Sequence, residues 1–234
     1  MPRAIPPSHR LFSEWSLYRK VVENDYMEHT AVTRAVGDAL RKAPDDASVL
    51  DLGCGDAEVV SRLAANRRIS SYVGVDQSQA ALDCARERLE RLVPDLEFER
   101  AHMVDFLRTT SQQFDVVLCG YALHHLPTRA KREFFRYARE VLKAGGILMT
   151  YDAFYSKHET RDEFVEEYIA WIASDWTEIR PHEHAAIASH MREADLPETL
   201  DDFYQIAREA GLSPARKPLW SCRRNYHHLV QMTH

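Results

Sequence analysis

The segment Val49-Leu50-Asp51-Leu52-Gly53-Cys54-Gly55-Asp56 constrains this chain more than any other. An apolar run leads straight into two glycines, and the residues after them read as a helix. Glycine lets the backbone bend sharply at a strand end and approach a ligand with no Cβ in the way. A dinucleotide fingerprint needs a third glycine three residues after the second, and Glu58 occupies that position. A bulky acid there opposes both close helix packing and a pyrophosphate group. A nucleoside cofactor without phosphate tolerates it. The second element is Val73-Gly74-Val75-Asp76-Gln77-Ser78, with an acid at a strand tip 21 residues after Gly55. A carboxylate so placed can accept hydrogen bonds from both hydroxyls of a ribose.

Periodicity fixes the fold class around that loop. From residue 48 to about 152, short β-branched runs alternate with amphipathic helical stretches, the pattern of a parallel sheet built from βαβ units. The expected strands are Val49–Leu52, Tyr72–Val75, Leu96–Arg100, Phe114–Cys119 and Ile147–Tyr151. Helices are expected near 57–66, 79–92 and 128–143, the last closing at Gly145-Gly146. Val-Val-Leu-Cys at 116–119 shows no polar alternation, as a strand covered on both faces requires. Residues 10–43 read as mainly helical, with Val32, Val36 and Leu40 on one stripe. Thr160-Arg-Asp-Glu163 is a capping box that opens a helix through about Ser174. Further helices are expected at His182–Arg192 and Thr199–Ala210, and two last strands near 212–219 and 225–232. The expected fold is α/β: a doubly wound, seven-stranded, mostly parallel, Rossmann-like sheet in a single domain over 1–234. Its parts are an N-terminal helical lid (1–47), a cofactor-binding core (48–152), a helical insertion over the site's mouth (153–198), and the last helix and strands (199–234).

In this form the sequence resembles the class I S-adenosylmethionine-dependent methyltransferases over roughly residues 48–152. Asp51-Leu-Gly53-Cys-Gly55 matches the family's first motif, and Asp76 its ribose-binding acid. Phe114-Asp-Val-Val-Leu-Cys119 with Ala122-Leu-His-His-Leu126 resembles the fourth motif, and Leu142-Lys-Ala-Gly-Gly-Ile-Leu148 the turn into the fifth strand. The resemblance implies S-adenosylmethionine as cofactor, S-adenosylhomocysteine as product, and a cofactor site built from Asp51, Gly53, Cys54, Gly55, Asp76, Gln77 and Cys119. One departure concerns adenine. The family usually places Gly-Asp after the third strand, where this chain has Ala101-His102. His102 and the Met103 amide then become the adenine contacts, or Asp105 supplies the missing carboxylate.

Methyl transfer from a sulfonium is an in-line displacement from an activated donor, so positioning the acceptor provides much of the catalysis. A base is needed only if the acceptor must lose a proton. Tyr121, His124 and His125 follow the fourth strand directly and are the catalytic candidates, since ligands in doubly wound folds bind at the carboxyl ends of the strands. Packing or lining the cofactor pocket is the competing account of the two histidines. Tyr151, Asp152 and Tyr155 leave the fifth strand toward the same mouth, and Phe164, Tyr168, Trp171 and Ile172 give the insertion an apolar face that suits a lid.

Composition narrows the partners. The net charge of −6 argues against general attraction to phosphate backbones, leaving Arg216, Lys217, Arg223 and Arg224 as the one basic run. The Asn/Asp-Pro-Pro-Tyr/Phe motif of exocyclic-amine nucleic-acid methyltransferases is absent, so a small-molecule acceptor is expected and nucleic acid is not. An RNA methyltransferase and a non-catalytic cofactor-binding subunit on the same fold remain the alternatives. Four widely spaced cysteines suit reduced thiols in a cytoplasm. No apolar run reaches the length of a signal peptide or a membrane span, and no membrane association is expected. Among twelve histidines, His182 and His184 do not share a helix face and His227-His228 are adjacent, so no metal is expected.

Overall fold

The computed structural model describes residues 15–41 and 43–234. The expectation of helix over 10–14 lies outside the described residues. Five parallel strands carry the sheet: β1 (Ala47–Leu52), β2 (Ile69–Asp76), β3 (Leu96–Arg100), β4 (Phe114–Gly120) and β5 (Leu142–Tyr155). β9 (His227–Thr233) runs antiparallel to β5, and short β6 (Glu198–Thr199), β7 (Ser213–Pro214) and β8 (Trp220–Ser221) pair along β5 and β9. The order is β3-β2-β1-β4-β5-β9-β7, so the chain reverses direction of travel between β1 and β4. A crevice opens there at the carboxyl ends of the strands, where doubly wound folds bind ligands.

Successive side chains on a strand point to opposite faces, and two helical layers divide them. Val49, Val116, Leu118 and Met149 pack with Val36 of α2 (His29–Leu40), Val60 of α3 (Glu58–Ala64) and Leu82 of α4 (Gln79–Leu89). Leu50, Val117, Cys119 and Leu148 pack on the other face with Leu107 of α5 (Met103–Thr109), Phe134 of α6 (Thr128–Glu140) and Phe203 of α9 (Leu200–Glu209). All six residues of β1 are buried. A third apolar cluster lies apart from the sheet. In it Leu17 and Val21 of α1 (Trp15–Glu23) meet Phe164, Tyr168 and Ile172 of α7 (Arg161–Asp175) and Ile187 of α8 (Pro181–Ala194). A stacked Tyr26–Trp176 pair at 5.0 Å and the Lys20 Nζ–Glu183 Oε1 contact at 2.8 Å bind that layer together. The capping box at Thr160 and Glu163 forms as expected.

The structure departs from the sequence expectations in four places. Among the described residues it has nine strands rather than seven. The strand expected over 212–219 shortens to β7 at Ser213–Pro214, and β8 at Trp220–Ser221 forms just beyond it, with Pro218, which cannot donate to a ladder, between them. β6 is the other addition. α6 ends at Glu140 rather than at Gly145-Gly146, since Val141 O accepts from Phe114 N and Leu142 already pairs with Phe114, leaving the glycines in a bulge of β5. α5 has no counterpart among the expected elements. Among the described residues, no helix is long and apolar enough to cross a membrane.

Candidate active site

The loop after β1 turns back beneath the tip of β2. Gly53 (φ 69°) and Cys54 both donate their amides to Val75 O, at 2.7 and 3.1 Å. A Cβ on Gly53 would stand 2.7 Å from Ala122 Cβ, so glycine is required for conformation and for space together. Asp76 closes the loop from the other side, its Oδ2 accepting from Gly55 N at 3.0 Å and its Oδ1 from Ser78 N at 2.8 Å. The acid at Glu58 is accommodated by Arg62 (2.6 Å) and by Arg88, which also holds Asp56 at 2.8 Å.

Asp51 is buried on β1 and accepts a hydrogen bond from Tyr72 Oη at 3.1 Å. Its in-register neighbour on β2 is Gly74, and the missing side chain there lets Tyr72 reach across. Burial is the main cause that raises the Asp51 carboxyl to about 7, with Asp76 adding to it against the Tyr72 hydrogen bond. An unfolded aspartate titrates near pH 3.9. The native state therefore holds a proton that the unfolded state releases between those values, and stability is lost as pH rises through about 7. The ligand-free protein should lose on the order of 4 kcal/mol from this group between pH 4 and pH 8. Urea unfolding across that range should show the slope in the parent chain and a flatter profile in Asp51→Asn. Parallel profiles would count against a buried, protonated Asp51.

A cavity of about 780 Å³ runs from this loop to the third apolar cluster. Asp51, Gly53, Cys54, Gly55, Asp76, Gln77, His102 and Met103 line one end. Phe164, Tyr168, Ile172 and Trp176 of the third apolar cluster line the other, and Tyr18, Tyr121, His124 and His125 also line the cavity. Two expected cofactor contacts are not brought to it. Cys119 is fully buried in the α5/α6 face of the sheet, one residue short of the strand tip, and Gly120 reaches the cavity in its place. Asp105 faces outward and pairs with Arg108 at 2.7 Å. His102 caps α5, its Nδ1 accepting from Val104 N at 3.3 Å, which leaves Nε2 for a ligand.

The three catalytic candidates have different surroundings. Tyr121 sits at φ 48°, a costly conformation for a bulky residue, and its hydroxyl donates to Met27 O at 2.7 Å. Its ring packs against His29, Tyr151 and His227, so it fastens the N-terminal helices to the sheet. Just before it, a Cβ on Gly120 would fall inside the Tyr151 ring, 1.9 Å from Cζ. His124 is held through Nδ1 by Asp152 Oδ1 at 2.5 Å, and Asp152 Oδ2 accepts from the Leu123 and His124 amides at 2.8 and 3.1 Å. Burial alone would push the His124 imidazole down. The Asp152 and Asp195 carboxylates outweigh it and raise the group to about 9. His125 moves the other way, lowered by burial and then by the charge of His124.

Sequence reasoning missed Asp195 and His190. Asp195 Oδ1 stands 3.3 Å from His125 Nδ1, 3.3 Å from His190 Nε2 and 3.9 Å from His124 Nε2. The histidine pair at 227–228 is structural. His227 Nε2 meets Tyr168 Oη at 2.6 Å, and burial lowers the imidazole to about 3, so it stays neutral and accepts from the phenol. His228 Nδ1 meets Ser221 Oγ at 2.7 Å.

A family described as a methyltransferase domain matches residues 49–146, from β1 into the start of β5. A demethylmenaquinone methyltransferase of Leptospira interrogans is 30% identical over 129 residues, covering 53% of this chain and 47% of that protein. A carboxy-S-adenosyl-L-methionine synthase of Campylobacter jejuni is 28% identical over 146 residues, covering 62% and 59%. The chain thus spans about half the length of the curated relatives it matches. A magnesium protoporphyrin IX methyltransferase from Synechocystis PCC 6803, solved with bound SAH, superposes with a TM-score of 0.66 at 16% identity over 94% of both chains, a likeness of fold. The glycine loop, the strand-tip acid and the sheet order that surround the crevice agree with these matches, and residues 49–146 are similar to the methyltransferase domain family.

Proposed function

We propose that the protein transfers the methyl group of S-adenosylmethionine to a small, largely apolar acceptor held beneath α1, α7 and α8. The observation that carries this reading is the continuity of the cavity. One end has the polar groups a nucleoside needs, and the other is apolar and aromatic, with His124 at the junction. Small-molecule sites enclose about 300–1,000 Å³, and a cavity of about 780 Å³ that also holds the cofactor leaves space for a small acceptor. His124, its ring fixed by Asp152, would orient the acceptor's polar group toward the sulfonium. The RNA alternative loses support, because Arg224 is engaged with Asp175 at 3.1 Å and Arg223 with Glu28 at 3.6 Å.

The test is incubation of the chain with methyl-labelled S-adenosylmethionine and a cell extract divided by molecular mass. Label should appear in a low-mass product, and added RNA should not compete. Label in RNA would transfer the reading to that substrate. No label in any fraction, with cofactor still bound, would leave the non-catalytic subunit.

A further inference from the structure

We propose that His124, His125 and Asp195 form a binding site for one divalent first-row transition ion, Zn²⁺ by the chemistry of the donors. Two segments supply them: the 3₁₀ turn Leu123–His125 after β4, and Asp195 at the end of α8. One donor atom from each of His124, His125 and Asp195 lies within 4.8 Å of the other two. His190 approaches the same carboxylate oxygen from α8.

The spacing of the donors is open enough for an ion between them. Charge-assisted N–H···O bonds run at about 2.7–2.9 Å. His125 Nδ1 stands 3.3 Å and His124 Nε2 3.9 Å from Asp195 Oδ1. Ligands about 2.0–2.1 Å from a tetrahedral ion stand about 3.3–3.4 Å apart, because the tetrahedron sets the ratio. Imidazole nitrogen with one carboxylate oxygen suits Zn²⁺ and its first-row neighbours rather than Mg²⁺ or Ca²⁺.

The surroundings are those of a prepared site. Asp152 holds the far nitrogen of His124, the carboxylate–histidine arrangement that orients metal ligands. Leu196 N donates to His124 O at 2.6 Å, joining the Asp195 segment to the turn. Arg161 donates to the carbonyls of Asp195 and Met191, fixing the end of α8. Histidine and aspartate of this cluster line the cavity. This placement rests on the methyl-transfer reading for its role, since an ion there would polarise an acceptor oxygen.

The test uses the full chain after chelator treatment and dialysis, titrated with Co²⁺ for its visible absorption and with Zn²⁺ by calorimetry. One equivalent of each should bind. His125→Ala and Asp195→Asn should each weaken binding by about 10–100-fold or more. His182→Ala, on the exposed side of α8, should bind as the parent does. Circular dichroism identifies any variant that fails to fold, and the parent titration stands without them. No saturable uptake of either ion by the parent, or affinity unchanged in the cluster variants, overturns the proposal. S-adenosylhomocysteine titrated into the same samples keeps the two readings apart. Cofactor binding without metal binding removes the ion and leaves methyl transfer standing, whereas ion binding without label transfer does the reverse.

Discussion

His124→Ala is expected to lower turnover by about 10²-fold, the loss when the group that positions the acceptor is removed. Affinity for S-adenosylhomocysteine should be nearly unchanged. The two readouts separate because His124 belongs to the turn after β4, while the cofactor loop and Asp76 follow β1 and β2. Its ring is only 12% exposed and is directed by Asp152, so it has a single orientation toward the cavity. Loss of the ring also removes a proposed ion ligand, which lowers turnover in the same direction. Steady-state kinetics with calorimetry on the same preparation makes the comparison. Unchanged turnover would reduce His124 to a packing residue. A matching loss of cofactor affinity would mean that the turn supports the cofactor rather than the acceptor.

Asp152→Ala should cost about 3–5 kcal/mol of stability, the usual consequence of removing one partner of a buried charged pair. Asp152 is 2% exposed and satisfies four donors: the Leu123, His124 and Ala153 amides and the His124 ring. Truncation leaves buried amides without an acceptor and a histidine without the anion that holds its charge. Asp152→Asn keeps one oxygen for the two turn amides and should recover part of the loss. Urea unfolding of the three proteins gives the ordering, parent above Asn above Ala. A loss under about 1 kcal/mol for Ala, within the span of an ordinary surface ion pair, would contradict the placement of Asp152 as the buttress of the turn.

The parts of this molecule legible in its sequence are those with local causes. β1, the glycine loop and Asp76 follow from residues adjacent in the chain, and the strand cores follow from unbroken apolar runs. α5 was not legible, because Met103–Thr109 is one short helix whose cap is a histidine rather than a serine or aspartate. The extra strands β6 and β8 are two residues each, and pairing with β5 and β9 decides which short fragments count as strand. At the site, His124 was visible from its position after β4. His190 and Asp195 were not, since they lie some 65–70 residues away and only the fold of α7 and α8 returns them. Tyr72 was equally hidden, because its contact with Asp51 depends on the register of two parallel strands across Gly74.

The measurement closest to the central claim is calorimetric titration of S-adenosylhomocysteine and of NAD into the parent chain and Asp76→Ala. One S-adenosylhomocysteine should bind per parent chain, and NAD should show no saturable heat, because Glu58 stands where a pyrophosphate would need glycine. Asp76→Ala should weaken S-adenosylhomocysteine by about 1.5–3 kcal/mol, the contribution of hydrogen bonds to a charged group. Tighter binding of NAD than of S-adenosylhomocysteine, or equal affinity in both proteins, would contradict the account.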